Sequence, residues 1–178
     1  DGAATGLFDI SLADATGTAD SLTFNLNDTT TGNNNSIEVK ATGIETVTFD
    51  VTDDTDTSNA DATLDVDSLN ASSIIITGST LDAGNTINLG TLDTDTTSLD
   101  TTGYAGIVTA TSGSAIATTY NLNGDVLHNI TGSSKNDTFT VGKTTNADMT
   151  IDGNGGTDVL NMTIGTGAQD FDSISDID

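Results

Sequence analysis

The chain has 178 residues with no Pro and no Cys, and its 27 acidic residues against 3 Lys and no Arg give a formal charge of −24. This balance excludes a nucleic-acid interface built on phosphate neutralisation and a disulfide framework. No stretch approaches the roughly 20 apolar residues that a membrane helix needs.

The length suits one sizeable core. All the acids except Glu38 and Glu45 are Asp, a residue of turns, caps and metal loops and not of helix interiors. The acidity therefore belongs to loops, where it calls for cations to offset the self-repulsion. The chain opens on Asp1 in mid-pattern, as a piece of a longer protein would.

Helical periodicity is nearly absent, and short alternation of apolar and polar residues takes its place. Residues 7–12 and 20–26 are predicted strands, joined by a turn at Gly17. A polar loop at 27–35 precedes a strand at 36–42. The cleanest alternation in the chain follows at 43–51, with Glu45 in a structural position at its start. Loop 52–60 carries Asp53, Asp54 and Asp56 but lacks the glycine turn and closing Glu of an EF-hand. A short strand is expected at 64–66. This first part is hairpin-like, so residues 1–60 form either the first coils of the fold or a distinct β-rich subdomain.

From Ser72 onward the pattern becomes a stack of short apolar steps at 74–76, 87–89, Leu99, 107–108, Leu122, 127–130, 139–141, 149–151 and 160–162. Strands this short bury their side chains only if successive turns of chain stack on one another, the signature of a solenoid. The expected fold is all-β: a parallel β-helix, or β-solenoid, with irregular coils of about 20 residues. Residues 61–178 make the stacked coils.

Within 131–163 two loops repeat one idea, a Gly/Ser/Asn-rich lead ending on Asp, then one residue, then a large apolar side chain. Asp137-Thr138-Phe139 and Asp158-Val159-Leu160 close the loops, and Gly132 and Gly153 open them. Glycines let carbonyl oxygens turn inward where a carboxylate also arrives, a set of hard oxygen ligands suited to Ca2+. Gly153-Asn154-Gly155-Gly156-Thr157-Asp158-Val159-Leu160 fits the nonapeptide calcium repeat at every position but Asn154. The first loop fits less well, because Lys135 replaces a glycine. The candidate metal positions are Asp158, Gly153, Asn154, Gly156, Asp152, Asp137, Asn136 and Gly132. The step from Asp137 to Asp158 exceeds the 18 residues of a strict nonapeptide roll, and Asp148 marks a degenerate loop between them.

His128, the single His, makes neither a zinc site nor a catalytic triad on its own. The absence of Arg opposes a polysaccharide lyase or hydrolase built on a β-helix, which leaves such an enzyme as the weakest reading. Tyr104 and Tyr120 are expected in the core.

The stretch 97–106, the Gly43-Ile44-Glu45-Thr46-Val47-Thr48-Phe49 strand and the two Asp-ended loops together resemble bacterial surface-layer proteins and related RTX proteins exported by type I secretion. The resemblance implies a non-enzymatic, calcium-stabilised structural segment on the outer surface of a Gram-negative cell. It also implies self-association into a lattice or filament, and contact with cell-surface polysaccharide through another part of the chain. By that motif Asp137 and Asp158 would be side-chain ligands, with Gly132, Gly153 and Gly156 freeing backbone carbonyls. The stalk or binding module of an RTX-type adhesin is the alternative.

Overall fold

A computed structural model of the chain describes residues 6–12, 16–28, 35–53, 63–67, 69–78, 85–113, 115–144, 149–166 and 173–178. Strands are numbered in chain order and fall alternately into two sheets. One sheet holds β1 (Gly6–Ser11), β3 (Asn35–Thr42), β5 (Thr63–Asp67), β7 (Thr86–Thr91), β9 (Ile107–Thr111), β11 (Asn129–Thr131), β13 (Thr150–Asp152) and β15 (Ile174–Ser175). The other holds β2 (Ser21–Asp28), β4 (Thr46–Asp53), β6 (Ser73–Gly78), β8 (Ser98–Tyr104), β10 (Thr119–Leu122), β12 (Thr138–Thr144) and β14 (Val159–Ile164).

Each strand pairs in parallel with the strand two places on, and no helix occurs among the described residues. The molecule is thus the expected all-β parallel solenoid. The early strands also follow this rule: β1 pairs with β3 and β2 with β4, both in parallel, where the alternation of 7–51 had suggested hairpins. Alternation specifies which side chains turn inward but not the direction of the neighbouring strand.

Because side chains alternate across a strand, every second residue enters the space between the sheets, as the buried positions of β6 and β7 show. Parallel in-register stacking then lines equivalent residues into columns. Leu22, Val47, Ile74, Leu99, Tyr120, Phe139 and Leu160 form one column through seven coils. Its interior members are fully buried, while Leu22 and Leu160 at its two ends are only partly so. Tyr120 and Phe139 stack ring on ring within it, with centroids 4.8 Å apart and planes 6° from parallel. Such a pair contributes about 0.5–1.5 kcal/mol beyond its buried area. Burial pushes the Tyr120 phenol up to about 12, so the ring sits in the core as an un-ionised side chain.

Candidate functional site

The residue just before each strand of the seven-stranded sheet stands at a corner of the coil. Asp20, Glu45, Ser72, Thr97, Thr118, Asp137 and Asp158 occupy these places, each two residues ahead of the apolar column. From Glu45 onward their side chains sew successive coils together. Glu45 Oε2 accepts the N–H of Asp20 at 2.8 Å, Asp137 Oδ1 that of Thr118 at 2.7 Å, and Asp158 Oδ1 that of Asp137 at 2.7 Å. The hydroxyl members work the other way, Ser72 donating to the Glu45 carbonyl and Thr97 to the Ser72 carbonyl. Acidic corners therefore satisfy donors and hydroxyl corners satisfy acceptors, both on the preceding coil.

The sequence reading singled out Asp137, Asp158 and Glu45 but missed the other four. A signal was present: at six of the seven corners the polar residue is followed by Ser or Thr and then by a large side chain, as in Asp20-Ser21-Leu22 and Thr118-Thr119-Tyr120. The unequal steps between corners hide it, 25 residues from Asp20 to Glu45, 27 from Glu45 to Ser72 and 19 from Thr118 to Asp137.

The two predicted loops lie on adjacent coils and touch. Inside the corner, both Asp137 and Asp158 are buried, at 1 % and 0 % exposure. Gly132 and Gly153 pack against their carboxylates. A Cβ at Gly132 would stand 2.6 Å from Asp137 Oδ2, and one at Gly153 would collide with both Asp158 Oδ2 and the Asp176 carbonyl. Glycine is required at both by close approach alone. At the outer rim, Asn154 Nδ2 donates to the Gly132 carbonyl at 3.3 Å, Asp152 Oδ1 accepts the Asn154 N–H at 3.0 Å, and Asn136 Oδ1 accepts the Thr157 N–H at 3.0 Å. Gly156 sits on the Lys135 carbonyl with a φ of 122°. All eight candidate residues thus gather in two stacked loops, with two carboxylates inside and the remaining polar groups outside.

The two carboxylates differ in what surrounds them. Asp137 accepts three donors: the Thr118 N–H, the Ser133 N–H at 2.6 Å and the Ser133 hydroxyl at 3.0 Å. Asn154 takes the place of Ser133 in the second loop and turns its N–H to Asp152 instead. Asp158 Oδ2 is consequently buried with no hydrogen-bond partner. An unpaired buried carboxylate oxygen is costly, and a bound cation is one way to satisfy it.

This orphaned oxygen, with the Asp176 carbonyl close by across Gly153, supplies hard oxygen donors of the kind Ca2+ takes at the second loop. Among the described residues no three acidic or histidine side chains converge, so an ion there would draw on backbone and amide carbonyls. Asp20 has a similar character, with a buried unpaired Oδ2 against Gly17. Asp54, Asp56 and Asp148 lie outside the described residues.

His128, Tyr104 and Tyr120 are core residues, each about 1 % exposed or less. A hollow of about 160 Å³ opens beside the corner at Glu45, lined by Gly43, Ile44, Asn70, Ala71, Ser72 and Asp95. No family model matches the chain, and no curated protein or solved structure matches it either.

Proposed function

We propose that this chain is a non-enzymatic structural segment of a secreted surface protein, of the surface-layer kind on a Gram-negative cell, whose coil stack is reinforced by calcium. The observation that carries this reading is Asp158, a fully buried carboxylate in a glycine-lined corner with one oxygen paired across the coil and the other unpartnered. Bound there, calcium supplies positive charge to a carboxylate that the protein leaves half satisfied. Asp158 and the carbonyls of its corner would hold the ion, while Asp137, already met by three donors, fixes the coil beneath.

A further feature supports a structural role: the charge of −24 favours a molecule that works among divalent cations.

A calcium titration followed by melting temperature is the test. A ligand that binds only the folded state at 100 times its Kd adds about 2.7 kcal/mol. The melting temperature should rise between excess chelator and millimolar calcium, and Asp158→Asn should remove most of the rise. An identical melting temperature in chelator and in calcium overturns the metal role. Ordered two-dimensional arrays on adding calcium would select the lattice reading, and monodisperse monomers the adhesin stalk.

A further inference from the structure

His128 sits where a strand should be. Register in the eight-stranded sheet pairs Asn129 with Thr109 and Ile130 with Ala110, which sets His128 beside Val108. Yet β11 begins only at Asn129, after a turn at Gly124 and Asp125 and an irregular stretch over 126–128. Val108 is fully buried in β9 and its N–H points at this gap. The imidazole fills it: His128 Nδ1 accepts the Val108 N–H at 3.1 Å, in place of a strand carbonyl. The ring proton is thereby fixed on Nε2, which donates to Thr101 Oγ1 at 3.2 Å. Thr101 belongs to β8 of the opposite sheet and in turn bonds the Asn121 carbonyl. One side chain thus completes a backbone ladder in one sheet and ties it to the other.

We propose that His128 is an acid-operated latch of the coil stack: its neutral imidazole joins the two sheets, and uptake of a proton opens the coils around β9 and β11. An imidazolium has no lone pair for the Val108 N–H, so protonation turns an acceptor into a second donor facing a buried donor. Among the described residues, nothing nearby compensates the charge. On β8 the only charged residue is Asp100, whose carboxylate turns outward to Thr102. Asp125 in the preceding turn is exposed, and Asp152 of β13 faces the outer loop. The strands β7, β9, β10 and β11 carry no charged residue.

Burial lowers the His128 pKa from 6.5 to about 4. The opened state therefore binds the proton more readily than the closed one between those values. The latch holds fully above pH 6.5 and weakens as pH falls toward 4. Carboxylate protonation in the same range relieves self-repulsion, which acts in the opposite direction.

Hydrogen exchange of the Val108 amide, corrected for intrinsic rates, reads the latch directly. Protection in the wild-type chain should fall roughly fiftyfold from pH 7 to pH 4.5, and in His128→Gln it should not fall across that range. Equal losses in both proteins would overturn the proposal by showing that the change does not pass through the imidazole. Should the variant not fold, imidazole nitrogen NMR of the wild type decides: an Nε2–H tautomer that persists below pH 5.5 supports the latch, and titration near 6.5 refutes it.

Discussion

Asn154 stands where the calcium repeat has glycine, and its backbone explains why it can. Its φ is 68°, in the left-handed region that Asn tolerates better than other side chains except Gly. The departure is conformationally mild, and the Asn side chain adds a bond to the Gly132 carbonyl. Asn154→Gly should change stability by less than about 1 kcal/mol, whereas Asn154→Val should cost about 1–2 kcal/mol in chemical denaturation. The chemically larger difference lies in what Asn154 leaves undone. Ser133 gives Asp137 two donors and Asn154 gives Asp158 none, a distinction of one residue type that decides which loop keeps a free carboxylate oxygen. The sequence separates the two loops through Lys135, but not through this difference in donors. The choice depends on where each loop N–H points, and composition does not encode that.

At the scale of elements, the strands were readable because a half-buried strand must alternate. The predicted strand at 20–26 became Ser21–Asp28 and the apolar step at 74–76 became Ser73–Gly78. The strand predicted at 43–51 begins instead at Thr46, since Gly43, Ile44 and Glu45 make the corner before it. Illegible was the pairing of second neighbours, which depends on contacts some 20 residues apart along the chain. These strands are too short to be stable alone, so the columns must hold them. Phe139 is the sharpest test: it is fully buried and stacks on Tyr120 of the coil before. Phe139→Ala should cost about 3–5 kcal/mol in urea unfolding. Phe139→Leu should recover more than half of that, because the column needs volume more than aromaticity.

The whole molecule carries −24 on a stack built around a buried apolar core. Self-repulsion of this size opposes compaction, and simple salt screens it over about 10 Å at 0.1 M. In the presence of chelator, raising sodium chloride from about 10 mM to about 150 mM should increase the melting temperature. A salt-insensitive melting temperature would mean that the repulsion survives unfolding and contributes nothing to the balance. The sign of this effect was legible from composition alone. Its distribution was not, because buried acids such as Asp137 and Asp158 act as hydrogen-bond acceptors within the fold.

The corner bonds share one more property, a sense of direction. Glu45, Asp137 and Asp158 each reach back to an amide of the coil before, and Ser72 and Thr97 reach back to a carbonyl. At these five corners the side chain that closes the bond always comes from the later coil. A break that removes the earlier coil frees a carboxylate, which water hydrates readily. One that removes the later coil strands an amide in a corner packed for an anion. Along this line of corners the stack resembles roof tiles, each row nailed down by the row laid over it, so the corner bonds resist peeling from one end more than from the other.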